Sequence, residues 1–431
     1  MMTAATGVPD CEIVCRSAPF AEMLPTGALL LLIRFAERIG FLQVLREYFS
    51  VQMKTLDYTP CDKLHTLICS LAVGCTSTKD VNHKLRPYPL AAQFLGMSQF
   101  PEQSTLNRFL HGLGPDQRRQ LEFILEVLLQ RFGLWRESPR VPLDIDSTGL
   151  MVYGRTYEFA RKGYFPRQRG RRGYRLSVAS SYSEAGSEIL ALFLDPANAS
   201  PAGRLWDCLY GAADVIGSVE RIGLLRADAA FGSGADVQEL IELGVPFVVK
   251  GISDKTAQNF AREVDPTHWQ SLDLFTRVSE LGHQRITKCR HPVRVVLVEL
   301  ITRRADKRFY SHLYTSLSCE EADAEALFHI YNHRQCIEAL FKSAKDGLSL
   351  HRLRTRRYAP IENFLLVAAI TFNLLAWFRH YFLAQVDLDH LGIRELTQTL
   401  MDIPAQAGFS QTQLELRFPE NHPLTAALCR L

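Results

Sequence analysis

The chain of 431 residues carries 49 Lys and Arg against 46 Asp and Glu, a formal charge of +3, with 47% hydrophobic and 22% charged side chains. That length exceeds one compact core and predicts two or three domains, and the balance excludes a disordered chain. Nucleic-acid affinity must therefore rest on where the cations sit and not on net charge.

Ten cysteines are scattered without a C-x-x-C pair. This argues against a zinc or disulfide framework and for reduced, buried thiols in a cytosolic protein. The start, "MMTAATGVPDCEIVCRS", has no basic segment followed by an apolar stretch, so no signal peptide is expected.

Residues 1–25 read as an N-terminal segment and 26–137 as a helical domain. "GALLLLIRFAERIGFLQVLREYF" has helical apolar spacing, and "CDKLHTLICSLAVG" ends on a glycine suited to a helix C-terminus. "PEQSTLNRFLHGLGPDQRRQLEFILEVLLQRFG" predicts two helices parted at Gly114-Pro115, the first capped by Ser104 or Thr105. A short helix bearing Thr105, Asn107 and Arg108 can enter a DNA groove or simply pack in a bundle.

At Val141 the pattern turns to strands. "RVPLDIDSTGLMVY" alternates, "YRLSVASSY" and "SEILALFLD" suggest a hairpin, and a helix near Ala202–Ile216 precedes the strand "RIGLLRAD". The helix "GADVQELIELG" and the strand "PFVVK" follow, giving β-β-β-α-β-α-β over 138–250. Residues 251–320, with "HPVRVVLVELITRR" and "KRFYSHLYTSL", read as an antiparallel β-rich insertion. Residues 321–385 return to helix, including the run "FLLVAAITFNLLAWF". At 15 residues it is shorter than the ~20 that span a bilayer and contains Thr371 and Asn373, so it is expected to be a buried helix with no membrane partner. Residues 386–431 are expected to form a C-terminal helical region.

Asp146 is expected at the carboxyl end of the first strand and Asp228 at that of the fourth, where ligands gather in sheets covered by helices. Asp144 lies two residues before Asp146, so spacing alone leaves either as the first ligand. In "YNHRQCIEALFKSAK", an advance of about 100° per residue gathers Tyr331, Arg334, Glu338, Lys342 and Lys345 on one stripe opposite Ile337, Leu340 and Ala344. Two aspartates and Glu338 make an oxygen-rich set without His or Cys, which favours Mg²⁺, with Mn²⁺ as a substitute, and phosphodiester chemistry with two ions. Strand-end aspartates also cap turns, and Glu338–Lys342 is an ordinary helix-surface pair. The cations acquire a purpose if Arg334, Lys342 and Lys345 contact a DNA phosphate.

Two basic clusters suit phosphate tracking or plain solubility. The first holds Arg155, Arg161, Lys162, Arg167, Arg169, Arg171, Arg172 and Arg175, with Tyr157, Tyr164 and Tyr174 between them; the second is "HRLRTRRY", His351 to Tyr358.

These motifs resemble those of bacterial insertion-sequence DDE transposases. Tyr331, Arg334, Glu338 and Lys345 match the spacing Y-x2-R-x3-E-x6-K, "LDIDST" and "LRADAAFGSG" look like the two aspartate motifs, and "ARKGYFPRQRGRRGYR" resembles the segment after the first. The resemblance implies an α/β fold: an RNase H-like mixed-sheet core with a β-rich insertion and, over 26–137, a helical N-terminal domain that binds DNA. It also implies cut-and-paste transposition, with Asp146, Asp228 and Glu338 holding two Mg²⁺. Terminal inverted repeats and target DNA would be the partners of a homodimer in a bacterial cytoplasm, associated with the nucleoid. A DNA-binding protein without chemistry and a nuclease without strand transfer are the competing readings.

Overall fold

The computed structural model describes residues 12–18, 25–53, 57–163, 165, 168, 170–201, 203–302, 307–409 and 413–431. The chain divides into two units. One, mostly helical, comprises Met1–Leu134, Leu150–Tyr174 and Leu340–Leu431; the other, built on a sheet, comprises Trp135–Gly149 and Arg175–Ala339.

The helical unit opens with β1 (Glu12–Ala18), then α1 (Leu29–Arg38), α2 (Phe41–Tyr48), α3 (Pro60–Ala72), α4 (Thr78–Lys84), α5 (Leu90–Phe94), α6 (Gln103–His111) and α7 (Pro115–Phe132). Gly40, at φ 75°, separates α1 from α2 in the left-handed region that glycine tolerates. Thr59 caps α3 by accepting the Asp62 N–H, with Pro60 at the first helical position. The expected cap of α6 is corrected. Glu102 is its extended flanking residue, and Ser104 lies inside the first turn, where it donates to the Glu102 carboxylate. Asn107 is occupied in tying α6 to α4, its Oδ1 accepting the Thr78 hydroxyl at 2.9 Å, while Arg108 is exposed.

The second unit carries the sheet. In chain order the elements after α7 are β2 (Val141–Val152), β3 (Arg161–Lys162), β4 (Arg172–Ser183), β5 (Gly186–Pro196), α8 (Arg204–Ile216), β6 (Ile222–Ala227), α9 (Gly234–Glu242) and β7 (Phe247–Lys250). Then follow α10 (Asp254–Glu263), β8 (Gln270–Ser271), β9 (Thr276–Gln284), β10 (Val293–Ile301), β11 (Arg308–Thr315) and α11 (Ala324–Asn332). The order is β3-β4-β2-β6-β7-β11-β10-β9-β8, with β5 on β4. β2 pairs parallel with β6, and β6 with β7, so the core strands run third-second-first-fourth-fifth as in an RNase H-like sheet. The insertion is no separate lobe: β11 pairs antiparallel with β7, extending the same sheet. Val248, Val278, Val296, Val298 and Leu313 bury Leu327 of α11, with Tyr331 packed at the margin.

The chain completes the helical unit through α12 (Gln335–Gly347), α13 (Tyr358–Tyr381), β12 (Gln406–Phe409) and β13 (Gln413–Pro419). α13 is long and apolar enough to cross a membrane, yet 94% of its most apolar window is buried inside the protein. The expectation of an all-helical C-terminus is corrected. Leu414, Leu416 and Phe418 alternate as buried residues, and β13 lies between β12 and a parallel β1 in a three-stranded sheet. Period-two burial selects a strand over a helix.

Candidate active site

β2 carries Asp144 and Asp146, and the structure separates them. Asp144 is 1% exposed and paired in register with Arg226 of β6, which donates to both carboxylate oxygens at 2.6 and 2.9 Å. Arg226 also donates to the Ile330 carbonyl at 3.2 Å, so one buried guanidinium joins two strands to the last turn of α11. Burial raises the Asp144 pKa against the lowering effect of Arg226.

Asp146 lies just beyond the last paired residue, Ile145 opposite Ala227. β2 does not end there as expected but continues to Val152, because β4 still flanks it where β6 has stopped. The Asp146 side chain, 11% exposed, accepts the Ser147 N–H at 2.7 Å and an Arg334 N–H at 2.6 Å. Burial, and then the charge of Asp228, raise its pKa to about 6 in spite of Arg334. Asp228 follows β6 directly and caps the turn Ala229–Phe231, accepting the Ala230 N–H at 2.9 Å.

The stretch from Tyr331 to Lys345 is not one helix. α11 and α12 are parted at His333–Arg334, where the bonds tighten to i−3: Arg334 N–H to Tyr331 at 3.0 Å and Ile337 N–H to Arg334 at 3.1 Å. The joint still leaves Arg334 beside Tyr331 and Glu338. Its guanidinium stands 5.7 Å from the Tyr331 ring centre and donates to Glu338 at 2.6 Å while holding Asp146. Arg334 therefore bridges two of the three acids, and Glu338 is the exposed one, at 57%. Burial raises the Tyr331 pKa to about 12, with Asp228 adding to it, so the phenol stays protonated at neutral pH.

Among the described residues no three His, Cys, Asp or Glu side chains stand ready-made around one ion. The donor chemistry nonetheless suits a hard cation: Asp146 and Asp228 repel each other's charge, and the set contains only carboxylates.

The other expected contacts divide. Lys342 and Lys345 lie further along α12, in the helical unit; Lys342 is exposed, and Lys345 is half-buried with its pKa lowered by desolvation. Arg161 and Lys162 are exposed on β3, and Arg171 is exposed with its guanidinium 5.6 Å from the Tyr153 ring. Arg172 instead donates to the Ala160 carbonyl at 2.9 Å. Arg167 and Arg169 lie outside the described residues. In the second cluster Arg354 is an interior residue, donating to Ser70 at 2.8 Å and the Cys75 carbonyl at 2.6 Å.

Sequence reasoning missed Arg226. Its signal was present: Asp144 and Arg226 each stand two residues before a motif aspartate, so opposite charges recur at matching places on adjacent strands.

A mixed sheet in RNase H-like order, with aspartates where its first and fourth strands part and a glutamate on the helix after the insertion, defines an α/β core of the DDE type. The family described as Transposase DDE domain group 1 matches residues 22–431. The chain belongs to that family and is a DDE transposase, a nucleic-acid-processing enzyme that binds DNA. No curated protein matches the sequence.

Proposed function

We propose that this transposase moves an insertion sequence by cut-and-paste DNA transposition, freeing a transposon end by phosphodiester hydrolysis and joining its 3′-hydroxyl to target DNA. The observation that carries the reading is the Arg334 bridge between Asp146 and Glu338 with Asp228 acting on Asp146. Acids from three separate chain segments act on one another there, which a turn-capping role does not require.

In this reading Asp146, Asp228 and Glu338 hold two Mg²⁺, or Mn²⁺. Bound, the ions supply charge that activates the attacking oxygen and stabilises the leaving one. Arg334 keeps Asp146 and Glu338 oriented and turns to the scissile phosphate as DNA enters. Tyr331, protonated, donates to the same phosphate, and Lys342 and Lys345 contact the backbone beyond it. Arg161, Lys162, Arg167, Arg169 and Arg171 line the flanking DNA path, and Arg172, expected from the sequence to join them, instead holds the Ala160 carbonyl. Two protomers pair two terminal inverted repeats in the bacterial cytoplasm, at the nucleoid.

The test is incubation with terminal-repeat DNA, target plasmid and Mg²⁺. Cut ends together with joined products are expected. Cutting without joining makes the protein a nuclease, and binding without cutting under Mg²⁺ or Mn²⁺ makes it a binding protein.

A further inference from the structure

A groove of about 560 Å³ in the helical unit lies at the start of α13, walled by His111 of α6, by Thr156 and Glu158, and by Arg356, Arg357 and Pro360. It brings together the two basic segments that the sequence singles out and that the catalytic reading leaves aside at these positions. Their junction is built. Arg356 donates to the Thr156 hydroxyl at 3.0 Å and lies 5.8 Å from the Tyr157 ring, while the Glu158 N–H donates to the Arg356 carbonyl at 2.9 Å.

Among the described residues the wall has one carboxylate, and it is already committed. Glu158 accepts the Tyr358 N–H at 2.7 Å, capping α13, so the helix terminus itself is not free to receive an anion. Arg357 is exposed, and among the described residues its guanidinium has no ion-pair or hydrogen-bond partner. Next to Glu158 in the chain, Phe159 is 53% exposed, edge-on to Tyr358 at 5.5 Å, and held at φ 56°, a conformation costly for a bulky residue. Two cations on a polar wall with an exposed ring beside them match a sugar-phosphate backbone: phosphates to the guanidiniums, deoxyribose to the ring.

We propose that this groove is a second DNA-backbone site, remote in sequence from the three acids, with Arg356 and Arg357 each contacting a phosphate and Phe159 packing on a sugar. The inference rests on the transposase reading and adds where DNA is held. It is tested by binding of a fluorescent random-sequence duplex over a range of salt, without divalent ions. Arg357→Ala is expected to weaken binding several-fold and to lower the slope of log K against log salt by about 0.9; Arg356→Ala/Arg357→Ala lowers it about twice as much. Among the described residues the Arg357 guanidinium has no partner to lose, so an unchanged melting temperature accompanies the effect. Lys255→Ala, exposed on α10, serves as the charge control and leaves affinity and slope unchanged.

Wild-type slope in Arg357→Ala, or equal loss in Lys255→Ala, overturns the groove. Wild-type protein that cuts DNA while Arg357→Ala keeps the full slope sinks this inference alone. Wild-type protein that binds through Arg357 without cutting sinks the catalytic reading and leaves the groove standing.

Discussion

Arg226 and Asp144 face each other across the parallel β2–β6 pair and close two hydrogen bonds with side chains only 7% and 1% exposed. Because Arg226 also holds the carbonyl of Ile330, one residue before Tyr331, the pair anchors the last turn of α11. Arg226→Met is therefore expected to destabilise the protein by about 3–5 kcal/mol, since it leaves a buried carboxylate uncompensated. Asp144→Leu combined with Arg226→Met restores much of that. Denaturant unfolding of the two singles and the double measures it; additive losses would show that the two side chains do not act as a pair.

The raised pKa of Asp146 has a definite sign. A carboxyl whose folded pKa is lifted to about 6 favours folding while protonated, and that contribution is lost as pH rises through about 6. Without divalent ions, Asp146→Asn should melt higher than the parent at pH 8 and by a clearly smaller margin at pH 4.5, where most of the parent's folded Asp146 is protonated. Calorimetry at the two pH values decides, and a lower melting temperature at pH 8 contradicts the burial argument. Cleavage by the same variant should be lost.

Glu338 is the exposed member of the bridged acids, so its removal costs little packing. Glu338→Gln is expected to abolish cleavage of terminal-repeat DNA and to leave end binding within about twofold, because it removes charge at the metal site and little contact area. Full cleavage by this variant would take Glu338 out of the chemistry.

Gly232 ends the turn that Asp228 caps. A β-carbon there would sit 1.9 Å from the Lys250 carbonyl oxygen, and backbone on both sides cannot yield cheaply. Gly232→Ala should cost about 1–3 kcal/mol by overpacking and push the turn capped by Asp228 away from the end of β7. Cleavage should fall more than duplex binding; wild-type turnover would show that the turn accommodates the methyl group.

Arg171 and Arg172 are neighbours with different duties. Arg171→Ala should reduce the salt slope of DNA binding by about 0.9. Arg172→Ala should instead loosen the Ala160 loop, seen as faster proteolysis between Arg155 and Arg175, because its guanidinium is already engaged with that carbonyl. Equal salt slopes for the two variants would remove the distinction.

The strand and helix order of the core was legible because period-two and 3.6-residue burial are local, and "LDIDST", "LRADAAFGSG" and the Tyr331-to-Lys345 spacing marked the residues of interest. The three-stranded sheet of β1, β12 and β13 was not, since its partners come from opposite ends of the chain. The helix break at His333–Arg334 also escaped a projection that assumes a constant 100° step.

By itself the sequence determined which side chains carry charge, at what spacing, and on which kind of element. The tertiary structure alone decided which charges meet: Asp144 goes to Arg226, and Asp146 shares Arg334 with Glu338. The reason is that an ion pair depends on strand register and burial, and both are set by packing between segments far apart in the chain.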